Sequence, residues 1–147
     1  MFKRLFLLRQ LPFCQDFGLL TLRVMTFSIM FLKHGTIKIF SFGQIAHGFP
    51  DPFHIGSVTT LVIAMLSDGI FSLFIVLGLA TRWAALFSLG NLFVAEAFVH
   101  HFSVMDWSPM GMGAEIIFIF MAICIALICL GPGKFSLDEL IERWGEE

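Results

Sequence analysis

The sequence predicts an all-α protein, a four-helix transmembrane bundle with short interfacial segments at its N- and C-terminal ends. Three observations carry this expectation. Hydrophobic residues make up 58% of the 147 and charged residues only 14%, with a mean hydropathy of +0.90, far from the balance of soluble domains. Four stretches reach the roughly 20 apolar residues that a helix needs to cross hydrocarbon. Those stretches are continuously apolar and lack the alternation that marks the strands of a membrane barrel. The 19 Phe and the absence of Tyr agree, because Phe enters lipid without a hydroxyl that needs a partner.

The elements follow in order within a single membrane domain, 1–147. Lys3, Arg4 and Arg9 lie among Phe2, Leu5, Phe6, Leu7 and Leu8, the character of a segment lying at the membrane surface. Arg9, Pro12 and Asp16 interrupt the apolar run there, so no cleaved signal is expected. The first span is predicted over 18–42. A connection rich in Gly and Pro, with Pro50, Asp51 and Pro52 at its centre, reads as an ordered extramembrane turn. Spans at 57–79 and 82–103 are separated only by the turn at Ala80, Thr81 and Arg82, which makes them antiparallel neighbours. Trp107 sits in the third connection, where interfacial anchors are common. The fourth span, 113–130, is stopped by Gly131, Pro132 and Gly133. The C-terminal tail, 134–147, opens with the capping box Ser136, Leu137, Asp138 and Glu139 and continues as an amphipathic interfacial segment to Trp144.

Basic residues set the orientation. With both termini in the cytoplasm, that side holds Lys3, Arg4, Arg9, Arg82, Lys134 and Arg143, against Lys33 and Lys38 on the other; N-in, C-in is expected. The expected location is the cell's inner or plasma membrane, as a multi-pass protein, and the bilayer is its first partner. The net charge of -2 without any basic run excludes nucleic acid. Cys14, Cys124 and Cys129 follow no metal spacing and read as small apolar packing residues.

An ionised side chain at the centre of a spanning helix costs about 2.5 to 3.5 kcal/mol, so each one must turn inward and find a partner. The candidates are Arg23, His34 and Lys38 in the first span, Asp68 in the second, Glu96 and His100 in the third and Glu115 at the start of the fourth. At about 100° per residue, Arg23 and His34 differ by about 20° around the helix and His34 and Lys38 by about 40°, so all three share a broad face. Glu96 and His100 lie one turn apart. The topology puts His34, Lys38, His100 and Glu115 near the outer ends of their helices, with Asp68 closer to mid-depth. Each residue also has a plainer role. Arg23 and Lys38 can snorkel to the interfaces, Asp68 can form a structural ion pair, and Glu115 can charge the N-terminus of its helix favourably. No ligand spacing such as H-E-x-x-H supports a metal, and none is expected.

Together these motifs resemble the DoxX family of small membrane proteins. The opening is Arg23, then His34, Gly35 and Lys38, then Pro50, Asp51 and Pro52 with Ile55, Gly56 and Ser57. Leu77 to Arg82 is similar to that family's turn between the second and third helices. His100 matches a histidine closing the third helix, Gly113 and Glu115 an acidic opening of the fourth, and the run from Gly131 to Asp138 a C-terminal signature. The resemblance runs from about Leu19 to Leu140. Asp68 stands where many relatives carry Glu, and Glu96 lies outside the family pattern.

The resemblance implies membrane redox chemistry, since some members are similar to subunits of respiratory or thiosulfate-oxidising quinone oxidoreductases. On this reading the chain is a redox-associated subunit whose polar cluster meets a quinone or a small sulfur compound. The sequence encodes no cofactor, so electrons must come through a redox enzyme partner or a bound group such as a quinone. A homo-oligomer also stays open, as does whether the chain is itself an enzyme. Two further readings stand beside this one: a non-enzymatic scaffold or assembly protein whose buried charges fix helix register, and a pathway for protons or small solutes.

Overall fold

The computed structural model describes residues 15–99, 101 and 112–145, except for the side chains of 112–114. The N-terminal interfacial segment, His100 and Trp107 lie outside the described residues. Among those residues every regular element is helical, with no strand. Three helices are long and apolar enough to cross a membrane: α1 (Gln15–Phe40), which continues through a break into the short α2 (Phe42–Ile45), then α3 (Ser57–Leu77) and α4 (Thr81–Val99). They are followed by α5 (Met112–Leu130) and α6 (Leu137–Gly145). The apolar stretch of α5, Glu115–Leu130, is shorter than the other three.

The boundaries differ from the sequence expectation for local reasons. The first span, expected over 18–42, begins earlier and ends at Phe40, because Ser41 leaves helical geometry at φ -102° and ψ 17°. That break turns the chain into α2, a short helix inside a connection expected to be turn throughout. The rest of the connection is organised by Asp51. Its carboxylate accepts hydrogen bonds from the Ile55 and Gly56 amides at 3.0 and 2.7 Å and from the Thr60 hydroxyl at 3.1 Å, which ties the loop to the first turn of α3. Phe53 packs edge-on against Phe98, ring centroids 5.3 Å apart, and pins the same loop to α4.

Between α3 and α4 the turn is as tight as the sequence predicts. Gly78 takes the left-handed conformation at φ 74°. The Leu79 amide bonds the Phe74 carbonyl and the Gly78 amide the Ile75 carbonyl, the Schellman pattern that satisfies the last carbonyls of a helix. Asp138 then reaches across from the C-terminal segment. Its two oxygens accept the Ala80 and Thr81 amides at 2.6 and 2.9 Å, capping α4, while its own amide bonds the Gly78 carbonyl at 2.8 Å.

The core lies where the four long helices meet. Phe27 and Phe120 pack edge to face at 6.2 Å, among Met30, Ile75, Leu92, Cys124 and Leu127. The most extensive helix contact is α1 on α3, and α4 also packs extensively on α5. The buried face of α4 carries Ala84, Ala85 and Ser88, small residues that let helix axes approach closely in lipid. Many large apolar side chains stay exposed, among them Phe40 at 86% and Leu32 at 65%, as expected of surfaces whose solvent is lipid rather than water.

Candidate functional site

Three of the long helices share an irregularity at their polar positions. The hydrogen-bond ladder widens to π geometry at Phe31–Gly35 in α1, Leu66–Phe71 in α3 and Ala95–Val99 in α4. Each π turn holds one candidate identified in the sequence: His34, Asp68 and Glu96. Single π turns are rare and concentrate at functional positions, because the extra residue re-aims neighbouring side chains.

Two of these turns cross in contact. A Cβ on Gly35 would stand 2.6 Å from the Asp68 carbonyl oxygen and 3.0 Å from the Gly69 Cα. Only glycine allows that approach, and the approach puts Lys38, one turn further along α1, beside the Asp68 side chain. Lys38 Nζ donates to Asp68 Oδ2 at 2.5 Å, with 16% and 8% of the two side chains exposed. The second oxygen of Asp68 accepts a hydrogen bond from Asn91 Nδ2 of α4 at 3.3 Å. Asp68 therefore lies level with the Lys38 ammonium and ties three helices together.

The pair does not fill the space around it. A cavity of about 450 Å³ opens beside it, closed over by Phe49, Pro50 and Pro52 of the first connection and walled by Met30, Leu92, Ile117 and Phe120; Lys33, His34, Lys38, Asp68 and Asn91 supply its polar lining. That size and this mixture of apolar walls with a few convergent polar groups suit a small-molecule site. Lys38 keeps further N–H donors beyond the one given to Asp68, and Asn91 keeps a second. The cavity can therefore donate hydrogen bonds to a ligand that presents carbonyl or other oxygen acceptors.

The remaining candidates stand elsewhere. Arg23 is fully buried at the opposite end of α1, where it donates to the Ile75 carbonyl at 3.4 Å and the Phe135 carbonyl at 2.6 Å. It joins α1 to α3 and to the C-terminal segment. Glu96 is fully buried, and neither carboxylate oxygen has a hydrogen-bond partner among the described residues; it does not line the cavity. Glu115 is exposed in the first turn of α5, where a negative charge suits the helix N-terminus. His100 lies outside the described residues, among which no three His, Cys, Asp or Glu side chains gather to hold a metal.

Asn91, Lys33 and Gly35 were not among the site candidates of the sequence, where Lys33 stood only in the charge count and Gly35 only in the family motif. Asn91 was open to discovery: it is the single Asn of the chain and sits in a spanning stretch, where an amide needs a partner. Lys33 and Gly35 depend on the π turn, which apolar patterning does not announce.

Residues 18–101 match the DoxX family model. This stretch contains α3, most of α1, all of α4 and every polar residue that lines the cavity. Glu115 and the C-terminal hook lie beyond it. No curated protein and no solved structure matches the chain. With more than half of its 147 residues matched, the chain belongs to the DoxX family.

Proposed function

We propose that this DoxX protein is a redox-associated subunit of the cell's inner or plasma membrane, and that the cavity beside Lys38 and Asp68 receives a quinone head group. A small sulfur-containing reductant, which also offers oxygen acceptors, is the other ligand of this class. The observation that carries the reading is the coexistence of a buried charge pair with room beside it. Ions are retained in the hydrocarbon layer at a cost of a few kcal/mol each, and a pair serving only as a rivet has no use for an adjoining cavity of about 450 Å³.

On this reading α5 is the fourth span, both termini face the cytoplasm, and the cavity lies in the outer half of the bundle. Lys38 and Asn91 bind and orient the carbonyl oxygens of the head group. Asp68, already an acceptor for both, holds them in place and takes part in moving protons between ligand and solvent. His34, at the rim, is suited to relay protons because imidazole changes charge near neutral pH. Electron transfer requires a partner or a bound group, since the chain supplies none.

One feature favours a second reading: Lys38, Asp68 and Asn91 already satisfy one another, as they would if their role were to fix helix register. A titration separates the two. Protein in lipid nanodiscs is titrated with a short-chain benzoquinone and followed by tryptophan fluorescence and retained mass. Saturable binding that weakens about tenfold in Lys38→Met, the loss of one charged hydrogen bond, supports the quinone site. Absence of saturable binding to the wild-type protein rejects it in favour of the register role.

A further inference from the structure

A second hollow opens next to the cavity and has a different character. It measures about 510 Å³ and runs between α1 and the connection that follows it, past Lys33, His34, Lys38 and Gln44 and under Gly48, Phe49 and Pro50. It shares Lys33, His34, Lys38, Phe49 and Pro50 with the inner cavity, so the two adjoin.

The charge in this groove is one-sided. Lys38 is matched by Asp68, and both oxygens of the Asp68 carboxylate are engaged, by Lys38 and by Asn91. Lys33 has no acidic partner among the described residues. In an uninterrupted α-helix, five residues turn about 140° beyond a full turn, which would send Lys33 and Lys38 to nearly opposite faces. The π turn over Phe31–Gly35 narrows that angle, and both lysines line the same groove. The fold has thus collected an unneutralised cation, an imidazole and an amide in one place.

The groove is also flanked by exposed apolar surface. Ile37 and Ile45 form its sides, and Leu32, Ile37 and Phe40 on the same helix are 65%, 55% and 86% exposed. Lys33 lies seven residues before the end of α1, about 10 Å along the axis. A lysine side chain at that depth extends to the phosphate level by snorkelling.

We infer that this groove is a binding site for an anionic phospholipid of the bilayer. Its phosphate sits between Lys33, His34 and Gln44, and its acyl chain lies along Ile37 and the exposed face of α1. The lipid thereby covers the lateral entrance to the inner cavity. The inference is independent of what the inner cavity holds.

Native mass spectrometry of the detergent-purified full chain tests it, with phosphatidylglycerol and phosphatidylcholine of identical acyl composition as probes. The wild-type protein should retain one phosphatidylglycerol in preference to phosphatidylcholine. Lys33→Gln should lower that preference about fivefold, the contribution of one lysine near an anionic head group, and Lys134→Gln, at the far end of the bundle, should leave it unchanged. Thermal unfolding in phosphatidylcholine confirms that both variants are folded. Equal retention of the two lipids by the wild type, or an unchanged preference in Lys33→Gln, overturns the inference. Displacement of the lipid by millimolar inorganic phosphate also overturns it, because the occupant would then be a free anion.

Discussion

Lys38 and Asp68 sustain each other because each removes the other's reason to leave the bundle: the ammonium gains a carboxylate, the carboxylate gains an ammonium and an amide, and neither faces lipid. Removing one member leaves the other as a buried, uncompensated charge, which costs about 3 to 5 kcal/mol. Asp68→Leu is therefore expected to lower thermal stability in detergent by an amount of that order, read as the shift in unfolding temperature. Asp51, outside the spanning helices, gives a prediction in pH. Partial desolvation works to raise its pKa, but hydrogen bonds from the Gly56 and Ile55 amides and the Thr60 hydroxyl, with help from His54, outweigh it and hold the carboxyl below its ordinary 3.8. A carboxyl depressed in the fold contributes stability above its unfolded value and loses it as pH falls through the folded one. Protection of the amides at residues 55–60, read as exchange relative to the intrinsic rate at each pH, should thus hold at neutral pH and begin to fall only as pH drops below 3.8. Loss of protection already near pH 6 would show that Asp51 does not hold the loop.

Helix crossings and terminal caps fix how these residues meet. At the contact of α1 with α3, Gly35→Ala places a methyl group 2.6 Å from the Asp68 carbonyl oxygen; the helices must part, at about 1 to 3 kcal/mol, and Lys38 moves away from its partner. Gly43→Ala in α2 meets nothing within 4 Å and should leave the unfolding temperature unchanged or slightly raised. Equal effects from the two substitutions would contradict the close crossing. At the other end of the bundle, Asp138→Ala removes both acceptors that cap α4 and should cost about 1 to 2 kcal/mol, with the greatest gain in hydrogen exchange at Ala80 and Thr81. The sequence announced these elements unevenly. Apolar run lengths and the Gly131 stop marked the helices, and the α3–α4 turn was plain from Leu77 to Arg82. The three π turns were not, because a widened ladder leaves composition unchanged while shifting every later side chain around the axis. The angular estimate grouped Arg23 with His34 and Lys38 by face only and not by depth. Eleven residues of rise, about 16 Å, in fact separate Arg23 from His34, and its partners are carbonyls of α3 and the C-terminal segment.

Taken whole, the molecule divides its polar groups between two ends of one apolar bundle. At one end Arg23, Asp138 and the Asp16 carboxylate, which accepts the Lys134 amide at 3.0 Å, lock the C-terminal segment onto the helices. At the other, Lys38, Asp68 and Asn91 stand beside a cavity roofed by the first connection. Much of this division was foreseeable: the rule that intramembrane charges turn inward picked out Lys38 and Asp68, while the space beside them required the helix crossing at Gly35 and the loop pinned by Phe53. Glu96, within the π turn of α4, is fully buried, whereas Glu115, in the first turn of α5, is exposed. The same division separates stability from function. Replacing Lys38 and Asp68 together by Met and Leu removes both charges at once, so folding should survive with an unfolding temperature close to that of the wild type. Benzoquinone titration of that folded double variant in nanodiscs is the most direct test of the proposed site. Loss of saturable binding, with the unfolding temperature preserved, is the predicted result; binding as tight as that of the wild type would contradict it.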